Sequence, residues 1–137
     1  MAALILRSRE QRVEGRESEK MIKSVEDFEV YKKSVKLFED FLEKDLPILE
    51  RSFAGRTLAN NQLRSLDSIC ANMEEGYERK SGKEIKNFFR MSKGSAGESR
   101  GRYKRLRKIL PEEVVNKRVE VLNEIRAMLA SLILKWE

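Results

Sequence analysis

The chain has 137 residues, of which 38% are charged and 40% hydrophobic, with 7 Gly, 2 Pro and a formal net charge of +6. This length fits one domain, the scarcity of turn-forming residues argues against a many-stranded fold, and the basic balance favours anionic partners. The sequence has no histidine and one cysteine, which removes the commonest general base and metal ligand and excludes an intrachain disulfide.

The first part of the chain lacks the pattern of an amphipathic helix. Arg, Glu, Gln and Ser dominate residues 7–20, so we expect residues 1–23 to form an extension, either a mobile arm or a frayed helix. The helical domain is expected over residues 24–137. The apolar patch at residues 2–6 is too short for a signal peptide, and no run approaches the about 20 apolar residues of a membrane span. A cytoplasmic protein without a membrane partner is therefore expected.

The first predicted helix begins after Ser24, where Asp27 three residues later indicates a capping box. Pro47 is expected to end or kink this helix near Asp45. Its apolar face follows alternating steps of three and four residues: Phe28, Tyr31, Val35, Phe38, Leu42, Leu46 and Leu49.

The second predicted helix covers residues 57–75, after a connection over residues 52–56 in which Gly55 is the turn residue. Gly76 lies where a C′ glycine would close the helix. The predicted apolar face consists of Ala59, Leu63, Leu66, Cys70, Met73 and Tyr77.

The third predicted helix begins after Ser81, with Glu84 at the capping-box position, and continues to about Leu110. The fourth follows Pro111, which suits a first helical turn, and runs almost to Trp136. Four amphipathic helices with short connections predict an all-α fold, an antiparallel up-down-up-down four-helix bundle.

One face of the third helix has heptad spacing, and we call it the seam: Ile85, Phe89, Ser92, Ala96, Ser99, Tyr103, Leu106 and Leu110. Its middle is small, and Gly94, Gly97 and Gly101 lie nearby. Each interior glycine costs about 1 kcal/mol relative to alanine, so these residues favour a neighbouring helix that packs very closely.

A second row of side chains follows the seam one residue later, and we call it the basic stripe: Lys86, Arg90, Lys93, Arg100, Lys104 and Arg107. Only Gly97 interrupts it. The stripe lies about 100° around the axis from the seam, so it should be accessible to solvent. Residues 79–108 carry twelve basic and two acidic residues, which leaves the rest of the chain net negative.

The basic stripe predicts binding to the phosphate backbone of RNA or DNA. Guanidinium groups at Arg100, Arg102, Arg105 and Arg107 would add planar donors for phosphate oxygens. Three alternatives stay open: a solvated face paired with the acidic first helix, an acidic partner protein, and, as the lesser one, a membrane surface.

The fourth helix has more apolar residues than one core face requires. Val114, Val121 and Met128 widen a stripe that consists of Val115, Val119, Leu122, Ile125, Leu129, Leu132 and Trp136. A wide apolar face predicts either a subunit interface or a helix with a broad contact to its own core.

The sequence offers no catalytic constellation. Cys70 has no histidine partner and lies on an apolar face, which favours a buried structural thiol. Glu74, Glu75 and Glu78 are best interpreted as solvated carboxylates near a helix end. No enzymatic activity, cofactor or metal is expected.

Residues 68–76 read S-I-C-A-N-M-E-E-G, and residues 79–81 read R-K-S. These segments resemble the S-I-x-x-N-I-A-E-G…R-x-S motif of a four-helix-bundle family encoded in intervening sequences of bacterial 23S ribosomal RNA genes. Gln62 matches a glutamine ahead of that motif, residues 94–98 match G-S-x-x-E, and residues 24–31 resemble the family's opening. The resemblance covers about residues 21–135.

The resemblance implies a cytoplasmic bacterial bundle that self-associates, in some members as a homopentamer. A more distant resemblance connects it to the accessory protein of diversity-generating retroelements, which implies nucleic acid and a reverse transcriptase as partners. Asn72 and Glu75 of the motif are then expected to serve packing and capping. Glu74 replaces the family's alanine, so this position is expected to face solvent.

Overall fold

The computed structural model describes residues 24–136, so the expectation for residues 1–23 lies outside the described residues. Helix α1 has three consecutive segments, an α-helical Glu29–Asp40, a π-helical Phe41–Asp45 and an α-helical Leu46–Leu49. It is followed by three longer helices: α2 at Phe53–Tyr77, α3 at Gly82–Arg105 and α4 at Glu112–Leu134. Short 3-10 turns at Val25–Asp27 and Leu106–Lys108 complete the described part, which contains no strand.

The four helices form the predicted antiparallel bundle. Helix α2 packs against α1 and α3, and α4 packs against α3 and α1. Helices α1 and α3 therefore occupy diagonal positions across the core. This arrangement places the acidic first helix diagonally opposite the basic third one.

The seam of α3 is the centre of the core, as predicted. All of its side chains are at most 3% exposed. Ser92 donates a 2.7 Å hydrogen bond to the carbonyl oxygen of Ile69 in α2, and the buried Gln62 amide donates to the carbonyl oxygen of Ser99 at 3.0 Å. Such side-chain bonds to a neighbouring backbone require close approach, which the small residues of the seam permit.

The predicted apolar face of α1 is wrong by one residue over most of its length. The helix buries Val30, Ser34, Leu37, Phe41, Asp45 and Leu49. Of the predicted face, only Phe28 and Leu49 are buried, and Leu42 is 39% exposed. Apolar residues occupy both rows, and two polar residues belong to the buried one, so periodicity alone selected the wrong row. The Ser34 hydroxyl donates to the carbonyl oxygen of Val30 at 2.8 Å, which satisfies it locally.

Two predicted helix ends also need correction. The Ser24–Asp27 interaction, in which the Ser24 amide donates to Asp27 at 3.2 Å, caps a 3-10 turn rather than α1. Helix α1 does not end near Asp45, since it continues to Leu49, but it is irregular there, because a π-helical segment precedes Pro47. A π segment changes the hydrogen-bond register, and Pro47 then occupies the first turn of the last segment, where its missing N–H is tolerated.

The two glycines of α2 have different roles from those predicted. Helix α2 begins at Phe53, with Ser52 as its N-cap, so Gly55 belongs to the first turn and not to the connection. Gly76 is helical and buried rather than a C′ residue, because α2 continues to Tyr77. A Cβ atom at Gly76 would lie 2.9 Å from a ring carbon of Phe89, so glycine permits close packing of α3.

The ends of α3 agree better with the sequence. Ser81 caps the helix by accepting a hydrogen bond from the Glu84 amide at 3.2 Å. The α-helix ends at Arg105, earlier than predicted, and a 3-10 turn follows it. Leu106 in this turn and Leu110 after it are both buried.

A buried polar cluster that the sequence analysis did not identify joins three helices at one end of the bundle. Asp45 accepts two hydrogen bonds of 2.9 Å from Arg118 and one of 2.6 Å from the Tyr103 hydroxyl. Asp45 is 1% exposed and Arg118 6% exposed. Burial and the adjacent Asp45 carboxylate raise the pKa of Tyr103 far above its usual range. The tyrosine therefore remains a hydrogen-bond donor in the folded protein.

This cluster predicts a loss of stability at alkaline pH. A tyrosine in the unfolded chain ionises at about pH 10, whereas folded Tyr103 keeps its proton because its pKa is raised. Above about pH 10 the folded state therefore binds more protons than the unfolded state, and the free energy of unfolding falls as pH rises. In urea unfolding across this pH range, the free energy of unfolding should fall less steeply with pH for Tyr103→Phe than for the unsubstituted protein. Equal slopes for the two proteins would contradict this role for Tyr103.

Candidate nucleic-acid interface

The basic stripe follows the flank of α3 that borders α4. Arg90, Lys104 and Arg107 are exposed, whereas Lys86, Lys93 and Arg100 are half-buried. The Arg100 guanidinium donates to the side-chain oxygen of Asn123 in α4 at 2.8 Å. Arg107 belongs to the 3-10 turn after α3, where its Nε donates to the Lys104 carbonyl oxygen at 3.2 Å.

The acidic helix α1 does not cover the stripe. The main packing partners of helix α1 are α2 and α4. An exposed ion pair joins Lys33 of α1 to Glu124 of α4 at 2.9 Å. Residues 79–108 contain two acidic residues, Glu84 and Glu98. Because an α-helix turns by about 100° per residue, both lie more than about 100° around the axis of α3 from the middle of the stripe. Intramolecular pairing with α1 therefore does not account for the concentration of positive charge.

A groove of about 640 Å³ lies beside the middle of the stripe, between α3 and α4. From α3 it is lined by Arg90, Lys93, Gly94 and Gly97. From α4 it is lined by Arg126, Ala130, Ile133 and Leu134. Arg126 could not be assigned to the stripe from the sequence, because it belongs to another helix and only the packing of α4 on α3 brings it there.

Not all of the arginines of α3 point toward this groove. Arg102 turns toward α2, where it donates to Gln62 at 2.8 Å and to Ser65 at 3.0 Å. Burial, and then the nearby Arg105, lower the pKa of Arg102. The Arg102 guanidinium therefore lies away from the stripe and connects α3 to α2.

The polar motif residues on α2 serve packing and local hydrogen bonding. The Asn72 amide donates to the carbonyl and hydroxyl oxygens of Ser68, both at 2.9 Å, and Ser95 of α3 donates to the same Ser68 hydroxyl at 3.0 Å. Glu75 forms an ion pair with Arg79 one turn later. These contacts agree with the structural role expected for Asn72 and Glu75.

A protein-family model described as 23S rRNA-intervening sequence protein matches residues 26–131 of the chain. The chain belongs to this family. The matched region contains nearly all of the four helices and the whole basic stripe, so the family and the fold agree with the resemblance found in the sequence. No curated protein and no solved structure matches the chain.

One position departs from the motif of the 23S rRNA-intervening sequence proteins with a visible consequence. Glu74 stands where the family motif has alanine, and it is exposed, as expected. Its carboxylate accepts a 2.6 Å hydrogen bond from the Tyr31 hydroxyl. Burial of Tyr31, and then this hydrogen bond, raise the pKa of Tyr31 well above its usual range. The substitution therefore adds a polar contact between α1 and α2.

The thiol of this family member has the environment of a core residue. Cys70 is buried, and desolvation, followed by the charges of Glu74 and Asp67, raises its pKa to about 12. A thiol with this pKa remains protonated near neutral pH and is a poor nucleophile. Within residues 24–136, no group of three or more Cys, Asp or Glu side chains is arranged to hold a metal ion, and no helix is long and apolar enough to cross a bilayer.

Proposed function

We propose that this protein binds the phosphate backbone of RNA or DNA along the flank of α3 that borders α4, and that it acts by binding and not by catalysis. The observation that carries the proposal is the row of Lys86, Arg90, Lys93, Arg100 and Lys104 on one helix flank, away from the acidic α1. Binding of this kind gains free energy from the release of counterions condensed on the nucleic acid.

The family supports the proposal without specifying the ligand. The matched model is named for an intervening sequence within 23S rRNA, which is compatible with association with nucleic acid. The chemistry of the chain supports binding over catalysis, since the sequence has no histidine and the Cys70 thiol stays protonated. The buried Asp45 carboxylate accepts three hydrogen bonds, which favours a structural role.

Self-association is a further part of the proposal. Phe53 is 77% exposed and Leu42 is 39% exposed, and the half-buried Val35 adjoins Leu42 on the same flank of α1. Exposed apolar side chains of this size support an interface with another copy. The wide face of α4 supports it less, because Val121 and Met128 already pack partly against the core. An oligomer would present several basic stripes to one nucleic acid, which increases avidity.

The test is fluorescence anisotropy with labelled single-stranded and duplex RNA and DNA, over about 50 to 200 mM salt. If the six side chains of the stripe contact phosphates, the logarithm of the association constant should fall with the logarithm of salt at a slope of about −4 to −5 per protomer. Light scattering on the same samples gives the subunit number. Comparison of the four ligands separates RNA from DNA recognition.

Two variants with the same change in net charge make the test specific. The triple substitution Lys93→Glu, Arg100→Glu and Lys104→Glu should weaken binding at least about 100-fold at moderate salt. The matched control Arg51→Glu, Arg64→Glu and Lys117→Glu changes exposed residues outside the stripe and should weaken binding only about threefold or less.

Equal losses in the two variants would show that binding follows net charge and not the stripe. No binding to any of the four nucleic acids at low salt would overturn the proposal. That result would favour an acidic protein as the partner of the stripe.

A further inference from the structure

The basic stripe has one gap, and a residue from another helix fills it. Gly97 occupies the position between Lys93 and Arg100 where the spacing would place another cation. A Cβ atom at Gly97 would lie 3.5 Å from Nε of Arg126, so the Arg126 side chain of α4 lies directly over this glycine. Arg126 therefore brings a guanidinium from α4 to the gap that Gly97 leaves in the row of positive charges.

Arg126 is also poised to accept a ligand. Its Nε is buried, and within the part of the chain that the structure describes it has no hydrogen-bond partner. An unsatisfied buried donor is costly, so a shift of the Arg126 side chain that brings this Nε to an acceptor in the groove would be favourable. On the other side of the groove Gly94 leaves open space, since a Cβ atom there would meet nothing within 4 Å.

The lining of the groove is apolar where it extends away from these cations. Ala130, Ile133 and Leu134 line it on α4, and Leu134 is 67% exposed. A phosphate alone would use the cations and leave these side chains in water. A ligand that carries a phosphate next to a flat apolar group would use both parts of the groove.

We propose that this groove binds one unpaired nucleotide of a single strand, with its phosphate on Arg90, Lys93 and Arg126 and its base and sugar against Ile133 and Leu134. The inference rests on the proposed function and adds to it the kind of strand that is recognised. A duplex buries its base faces in the helical stack, so it cannot place the face of a base against the apolar lining of such a groove. An unpaired nucleotide exposes the face of its base and fits a groove of about 640 Å³.

The experiment compares a labelled single-stranded oligoribonucleotide with a duplex of the same length, using the full chain. Arg126→Gln should weaken single-strand binding about tenfold at moderate salt, because the phosphate loses one of its three cations. Arg126→Lys should weaken it less, because the charge remains. Leu134→Ser should weaken single-strand binding about threefold without changing the slope, and leave duplex binding unchanged.

The matched control is Arg64→Gln, which removes the same charge from an exposed position of α2. If Arg126→Gln behaves like this control while the triple stripe variant loses binding, the groove inference is wrong and the proposed function stands. If the triple stripe variant also retains binding, the proposed function fails as well. An equal effect of Leu134→Ser on the two ligands would overturn recognition of an unpaired nucleotide.

Discussion

Replacement of Asp45 with alanine is expected to lower the free energy of unfolding by about 3–5 kcal/mol. The substitution removes the carboxylate that receives two hydrogen bonds from Arg118, and it leaves a guanidinium that is only 6% exposed without its main counter-charge. The Tyr103 hydroxyl also loses its acceptor. Urea unfolding followed by far-UV circular dichroism at neutral pH measures the effect.

The same substitution at Asp40 is the control for this prediction. Asp40 approaches Arg118 only at 3.8 Å, and its pKa is lowered because the hydrogen bond from Lys36 and the charges of Lys36, Lys44 and Arg118 outweigh the effect of burial. Asp40→Ala should therefore cost about 1 kcal/mol or less. The double variant Asp45→Leu and Arg118→Met should be less destabilised than the sum of its single substitutions, because neither charge remains unpaired. Equal costs at Asp45 and Asp40 would contradict the assignment of the cluster.

The third helix could be predicted accurately because its seam and its basic stripe both follow from the periodicity of one segment of sequence. Every side chain of its seam is buried, and the residues of the basic stripe one position later lie on the flank where the helical period places them. The sharp contrast between small or apolar residues and cations leaves only one phase for this helix. The fold followed from the same periodicity, together with the short connections between four amphipathic segments.

The buried face of the first helix was harder to predict, because its hydrophobic pattern is ambiguous. Two adjacent rows are largely apolar, and the buried one contains Ser34 and Asp45, which hydropathy assigns to the surface. The partner that makes Asp45 tolerable in the core is Arg118, more than seventy residues away. An arginine beside the apolar stripe of the fourth helix, three residues after Val115, was the signal that could have revealed this cluster.

The candidate site could also be predicted only in part, because some of its contacts join different helices. Lys93 and Arg100 could be assigned from the sequence, since they share a helix face, but Arg126 could not. Its position over Gly97 depends on how α4 packs against α3. Periodicity within one helix therefore predicts a row of charges, whereas the groove beside it depends on the tertiary arrangement.

Replacement of Gly55 with alanine is expected to destabilise the protein by about 2–4 kcal/mol, although alanine normally favours a helix. A Cβ atom at position 55 would lie 2.1 Å from the carbonyl oxygen of Leu49 and 2.9 Å from the Ser52 hydroxyl oxygen that caps α2. The first of these is a backbone atom at the end of α1, so the connection between α1 and α2 would have to open. Thermal and urea unfolding of the variant measure the loss.

Gly94→Ala is the matched control, because a Cβ atom there would meet nothing within 4 Å. That substitution should stabilise the protein by about 0.5–1 kcal/mol, since alanine loses less conformational entropy in a helix. A Gly55→Ala variant as stable as the unsubstituted protein would contradict the close contact with Leu49. Leu49 follows Asp45 by about one turn, so opening this connection should also displace Asp45 from Arg118. The effects of Gly55→Ala and Asp45→Ala are therefore expected to be less than additive, which a double-mutant cycle would measure.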